Sequence, residues 1–299
     1  MNLLFLIKKW LKSAIRWMFL SYLGPRTSAI LVDLDGLKLL VPATDLSLAR
    51  SLSKSGGYNK PLVEFLVQQV SAPSAVLFIG THIGSVLIPV AKRCRAVVGI
   101  EANPETFKLL EANLKLNNIT NAKILNRAAF DQKGDLSFLA TRDNTGGSKI
   151  TPGGPQDILF RLDPAKKITV AGDRVDDLLE NGDFDLVVMD IEGSETKALK
   201  GMPRILGFAK KLVLEIHPLS IEKIARIPAS EFFEALPPLF FRAHPINTPA
   251  LKSSYERSEF LAMYAEIAKN YWMSGVDVMF EASLQTAVSS SDTIHPTPR

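Results

Sequence analysis

The stretch Ala75–Glu101, AVLFIGTHIGSVLIPVAKRCRAVVGIE, constrains this chain more than any other. An apolar run, Ala75 to Ile79, reaches the loop Gly80-Thr-His-Ile-Gly84. An apolar-periodic segment follows, then a second apolar run, Ala96 to Ile100, which ends on Glu101. Strand, glycine loop, helix, strand and acid in that order make the first half of a Rossmann-like nucleotide site. Glycine lets the backbone turn sharply and approach a ligand closely. The helix after it offers unpaired N–H groups and a positive dipole end. An acid closing the second strand, 21 positions after Gly80, suits the two hydroxyls of a ribose.

In dinucleotide loops of the form G-x-G-x-x-G the second glycine admits a pyrophosphate. Here that position is His82, whose side chain would crowd one. This weighs against a nicotinamide oxidoreductase. S-adenosylmethionine carries a ribose and no phosphate, and is the expected cofactor. The competing account of the stretch is a plain strand-to-helix turn with a surface acid.

The chain has 299 residues, enough for a large core, and its 46% hydrophobic and 22% charged content is that of an ordinary globular enzyme. One cysteine, Cys94, excludes a disulfide framework or a cysteine zinc site within the chain. Residues 1–32 hold Lys8, Lys9, Lys12, Arg16 and Arg26 and no acid, so with a net charge of +4 the remaining 267 residues sum to −1. The body therefore has no predicted basic face for nucleic acid. No N-P-P-Y or D-P-P-Y segment, usual in amino-group methyltransferases of DNA, follows the central strand, and no nucleic-acid partner is expected.

Residues 1–24 form an expected amphipathic basic segment. Within 2–23, Lys8, Lys9, Lys12, Ser13 and Arg16 share one helical arc and apolar residues take the rest. Four cations interrupt the apolar run, which excludes a membrane span. The reading is an in-plane anchor on an anionic surface, giving a cytoplasmic protein peripheral on the inner face of the membrane. The alternative is a helix docked on its own domain or on a second subunit.

Residues 25–72 read as a hairpin turning at Asp35-Gly36, followed by helices over 45–54 and 61–70. Residues 73–245 form the Rossmann-like core. Asn103, Pro104 and Glu105 open a helix that Asn117-Asn118 ends. Strands are predicted at 122–126, 136–140, 168–171, 185–190 and 211–218. Short helices are predicted at 174–180 and 195–200. Residues 141–157, with four glycines and two prolines, read as a mobile lid, or else a long surface loop. In the C-terminal extension, 246–285, a helix is expected at 256–270 and a strand at 276–280. The Ser/Thr/Pro-rich tail, 286–299, reads as disordered. Strands alternating with helices imply a doubly wound, mostly parallel sheet with ligands at strand carboxyl ends. Gly80, Glu101, Asn126, Asp190 and His217 all fall at such ends.

At these positions the sequence resembles the FkbM-type S-adenosylmethionine-dependent methyltransferases. The matching segments are Val98-Gly-Ile-Glu-Ala-Asn-Pro104, Asn126-Arg-Ala-Ala-Phe130, Val188-Met-Asp-Ile-Glu-Gly-Ser-Glu195 with Leu199-Lys-Gly201, and Leu214-Glu-Ile-His-Pro218. The resemblance covers roughly residues 35–220. It implies the α/β, Rossmann-like class I methyltransferase fold with a seven-stranded sheet. It also implies methyl transfer to a hydroxyl of a carbohydrate, glycan or secondary metabolite. The sequence departs from the family's first motif, D-V-G-A-N-I-G, with Phe78-Ile-Gly-Thr-His-Ile-Gly84. Phe78 cannot make the family acid's contact to the cofactor's amino-acid end. The alternative function is therefore a catalytically inactive, methyltransferase-like binding or scaffolding protein.

On this reading Glu101 binds the ribose, while Gly80 and Gly84 admit the methionine part. Asn126 and Ala128 match the region that lies against the adenine or its edge, and Asn126 is equally a strand-end cap. Asp190 positions the cofactor's amino group or the acceptor hydroxyl. His217 suits a general base for a hydroxyl, and Glu215, two positions back on the same strand face, orients it. The alternative for His217 is a strand-end histidine bonded to backbone. Glu192 and Glu195 follow Asp190, and Glu195 is equally a dipole-complementing helix acid. No resident metal is expected. Asp190, Glu215 and His217 form an alternative set for a divalent cation.

Overall fold

The structure is a computed structural model, and it describes residues 26–55, 59–151, 165–180 and 182–283, with 14, 18, 19 and 21–24 of the N-terminal stretch. Most of the basic segment, residues 152–157 of the glycine-rich stretch and the 286–299 tail lie outside the described residues. So do the sequence readings made for them.

The chain opens on a hairpin of β1 (Ala29–Leu34) and β2 (Leu37–Pro42), paired Leu34↔Leu37. Asp35 and Gly36 turn it with φ of 52° and 96°, the left-handed pair that matches the strands' own twist. Helices α1 (Leu46–Ser55) and α2 (Lys60–Gln69) lead to β3 (Ala75–Ile79). After the glycine loop come α3 (Leu87–Ala91), β4 (Ala96–Ile100), α4 (Pro104–Leu116) and β5 (Ala122–Leu125). Asn103 caps α4 as its spacing suggests: its side chain accepts the Glu105 N–H at 3.1 Å.

Next are β6 (Ala128–Ala129), β7 (Gly134–Thr141), β8 (Lys149–Ile150), β9 (Ala165–Asp173) and α5 (Val175–Leu178). They are followed by β10 (Leu186–Met189), α6 (Glu195–Lys200), α7 (Pro203–Phe208) and β11 (Lys211–Ile216). The chain continues through α8 (Ala229–Glu234), β12 (Phe240–Pro245), β13 (Tyr255–Glu256), α9 (Phe260–Tyr271) and β14 (Val276–Ala282).

The main sheet has the order β13-β12-β14-β11-β10-β3-β4-β5. The pairings from β5 to β11 are parallel, and β14 runs antiparallel between β11 and β12. This is the Rossmann-like, doubly wound arrangement expected, with eight strands rather than seven. The additional one is the two-residue β13 at the edge.

A second difference concerns the strands predicted near 136–140 and 168–171. They do not join the main sheet. They pair with each other as β7 and β9, antiparallel, in a separate sheet of order β6-β9-β7-β8. No predicted helix separates them, so a parallel crossover has nothing to build it, and antiparallel pairing is what remains.

Strand periodicity divides the core. Val76 and Phe78 of β3 face the layer of the hairpin and α1–α4, while Leu77 and Ile79 face the layer of α5–α9. The hairpin is fastened by two asparagines one turn apart on α4. Asn113 accepts from Leu40 N–H at 2.6 Å and donates to Leu40 C=O at 3.1 Å. Asn117 repeats this at Lys38, at 3.1 and 2.6 Å. Each amide side chain mimics one rung of a strand ladder on the β2 edge.

Candidate active site

The carboxyl ends of β3, β4 and β10 converge on a cleft that opens to solvent. Its floor is Ile79, Gly80, Ile100 and Glu101. One wall is the turn after Met189, and the other is the small sheet with the 145–150 segment.

Glu101 is 8% exposed and faces this cleft. Its Oε2 accepts the His82 N–H at 2.8 Å and its Oε1 the Asn103 N–H at 2.9 Å. Burial pushes its pKa up, while these amides and that of Thr81 pull it down. The carboxylate keeps acceptor capacity for a further donor.

Gly80 lines the cleft with φ +82°, and a Cβ there would sit 2.0 Å from the Asp190 carbonyl oxygen. Its first demand is therefore the close approach of β3 to the turn after β10. Gly84 (φ +89°) does not line the cleft; a Cβ would meet Leu110 Cδ1 at 2.8 Å. It lets the loop pack on α4. Phe78 is 2% exposed in the core on the hairpin side and does not line the cleft, so its apolar side chain is accounted for by packing.

The segment Asp190-Ile-Glu-Gly-Ser-Glu195 is a built turn. Glu192 and Gly193 take φ of 56° and 102°. Glu195, 4% exposed, accepts the N–H groups of Ile191 (3.1 Å) and Gly193 (3.1 and 3.0 Å). This answers the open reading of Glu195: its carboxylate is spent on the turn. Glu192 pairs with Lys149 at 3.5 Å, tying the turn to β8.

Asp190 is open to the cleft, yet protein walls it closely. Desolvation by the surrounding protein first, then the charges of Glu192, Asp277 and Glu195, raise its pKa well above its ordinary value, against a hydrogen bond from Glu215. Glu215 stands behind it on β11, paired with Asp277 of β14. Burial and Asp190 push the Glu215 pKa up to about 10. The two carboxyls titrate as a unit. Asp190, Glu192 and Glu215 each place an oxygen within 4.8 Å of the others, a spacing a divalent cation can bridge. His217 is not in that set.

Two sequence assignments need correction. His217 does not line the cleft, and backbone occupies both ring nitrogens. Its Nδ1 accepts from the Ser220 N–H at 3.2 Å, so Nε2 carries the hydrogen and faces the Met273 carbonyl at 3.3 Å. Glu215 accordingly serves Asp190 rather than His217. Asn126 spends its amide hydrogens on the Glu101 and Ala102 carbonyls, at 2.7 and 3.2 Å, which clamps the end of β4. Ala128 does line the cleft.

Sequence reasoning gave no role to Asp45 or Thr145, which meet beside His82. An Asp before an apolar-periodic run is a cap signal, but the partner of its second oxygen lies 100 positions away and leaves no local trace.

A family model described as "Methyltransferase FkbM domain" matches residues 79–246. No curated protein matches the chain. Among solved structures it is similar to methyltransferase FkbM from Methylobacillus flagellatus KT, with 14% identity, TM-score 0.42, and 74% of this chain and 58% of that one covered. It is similar to M. jannaschii TYW2 in complex with AdoMet, with 15% identity, TM-score 0.44 and coverages of 87% and 89%. It is also similar to an rRNA methylase from Streptococcus thermophilus, with 11% identity, TM-score 0.41 and coverages of 74% and 93%. These structural likenesses are low, and the family match carries the assignment.

Proposed function

The chain belongs to the FkbM methyltransferase family, whose methyl donor is S-adenosylmethionine, and from that premise we propose that it methylates a hydroxyl of a carbohydrate, glycan or secondary metabolite. The observation that carries this reading is the Asp190–Glu215 pair at the cleft, a carboxylate of raised pKa backed by a carboxylic acid. An alcohol must lose its proton as its oxygen is methylated, and a carboxylate of raised pKa is a better acceptor for it than an ordinary one.

The residues present fit the donor. Glu101 keeps acceptor capacity on its anchored carboxylate for the ribose hydroxyls. Gly80, Ala102 and Ala128 leave flat, small walls beside it. The bound donor supplies a methyl group on a sulfonium centre, open to displacement by oxygen. Asp190 takes the hydroxyl proton, and Glu215, by its hydrogen bond, holds that carboxylate in place. Glu195 keeps the turn, and with it Asp190, aimed at the cleft.

Calorimetric titration with S-adenosylmethionine and S-adenosylhomocysteine tests the reading, with Glu101→Ala beside the parent. Each charge-assisted bond is worth about 1.5–3 kcal/mol, so the variant should bind at least about tenfold more weakly. Glycan and polyketide-type hydroxyls are then screened with labelled donor, and an RNA is included as the arm that would overturn the acceptor class. A folded protein that binds neither ligand is a binding module instead.

We also propose that residues 2–23 rest on an anionic membrane surface. Five cations without an acid in residues 1–32 support this, as do the exposed Met18 and Tyr22. Among the described residues no helix is long and apolar enough to cross a membrane. Removing residues 1–23 should abolish sedimentation with phosphatidylserine vesicles at low salt. Sedimentation unchanged by the deletion sinks the idea.

A further inference from the structure

Asp45 precedes α1 and is 1% exposed. Its Oδ1 accepts the Leu48 N–H at 2.9 Å and caps the helix. Its Oδ2 accepts both the N–H and the hydroxyl of Thr145, at 2.7 and 2.8 Å. Thr145 opens the short 3₁₀ turn Thr145–Gly147 that walls the cleft.

Asp45 accepts only, so the Thr145 hydroxyl hydrogen is committed to it. The 2.8 Å contact between Thr145 Oγ1 and His82 Nε2 therefore has the proton on Nε2. His82 is a neutral Nε2–H imidazole, and burial holds its pKa down at about 4 against the pull of Asp45. The backbone of the same histidine sits at φ 50°, a conformation that favours glycine, and its N–H donates to Glu101 Oε2 at 2.8 Å. Hydrogen bonds on either side of His82, from its ring to the capped turn and from its backbone to the carboxylate, thus link a helix cap to the cleft floor.

We propose that Asp45, Thr145 and His82 are positioning residues for the cofactor site: they seat the Thr145–Gly147 turn on the cleft and hold the left-handed His82 backbone whose amide sets Glu101. The inference rests on the reading of Glu101 as the ribose ligand. A helix cap needs one side-chain oxygen, and serine supplies it. A buried carboxylate with its second oxygen on another element's backbone and hydroxyl does more than capping requires.

Three full-chain variants separate the roles. Asp45→Ser keeps the cap and loses the bridge. Thr145→Val keeps the shape and loses the hydroxyl. Thr145→Ser restores the hydroxyl. Calorimetry with S-adenosylhomocysteine should show Kd raised about tenfold in the first two and within about twofold of the parent in the third. Trypsin cleavage at Arg142 and Lys149, which flank the turn, should accelerate in the same two. The ¹⁵N spectrum of the His82 ring, identified by its loss in His82→Gln, should show the Nε2–H tautomer in the parent and Thr145→Ser and a mixture in Thr145→Val.

Parent-like Kd, cleavage and tautomer in Thr145→Val overturn the proposal, whether or not Asp45→Ser folds. If the parent itself fails to bind S-adenosylhomocysteine, the Glu101 reading falls. Cleavage and tautomer then still decide whether the relay seats the turn.

Discussion

Glu195 accepts N–H bonds from two residues of the turn it follows, and Glu195→Ala leaves those donors without acceptors in a buried place. The expected loss is about 1–3 kcal/mol of unfolding free energy, read from the urea midpoint, with Glu195→Gln intermediate. Glu215 predicts a pH effect. Its folded pKa, about 10, lies above the unfolded value near 4.5, so the native state binds the extra proton between them. Stability therefore falls as pH rises through that window. Glu215→Gln cannot ionise, and its denaturation midpoint should change less than the parent's between pH 5 and pH 8. Activity has the opposite sign. If Asp190 takes the hydroxyl proton, as proposed, kcat/KM should fall as pH drops through its raised pKa. The presence of Glu101 and Asp190 at strand ends was legible, because a strand's apolar run stops where its side chains meet the cleft. That backbone would take both ring nitrogens of His217 was not, because one of the two partners, Met273, lies 56 positions away.

The elements that sequence periodicity describes best are those with long apolar runs or side-chain caps, such as β3, β10 and α4. The small sheet was misplaced because two-residue strands like β6 and β8 carry no periodicity. Only pairing with β9 and β7 defines them. A joint between elements is where one residue decides most. Gly201 ends α6, and a Cβ there would lie 1.9 Å from the Phe130 carbonyl oxygen beside β6. No side-chain rotation relieves a backbone clash of that kind. Gly201→Ala should push α6 off the small sheet and cost about 1–3 kcal/mol, as overpacking does. Its trace would be a lowered thermal midpoint with weaker S-adenosylhomocysteine binding.

Across the whole molecule, the hairpin and α1 are bound to the core through Asn113 and Asn117 and reach the cleft through Asp45. Removing residues 26–55 should therefore weaken the cofactor site as well as stability, whereas removing 1–23 should spare both; calorimetry on the two truncations checks this. At the other end, β14 lies between β11 and β12, although both are synthesised before it. While a ribosome is still making residues 246–275, two strands of the main sheet have bare edges that will later face the same missing neighbour. Such edges recruit strands from other chains. The growing chain thus has an interval, about thirty residues long at some 5–20 residues per second, when it is most open to aggregation and most in need of a chaperone. A premature stop before Val276 would make that interval permanent.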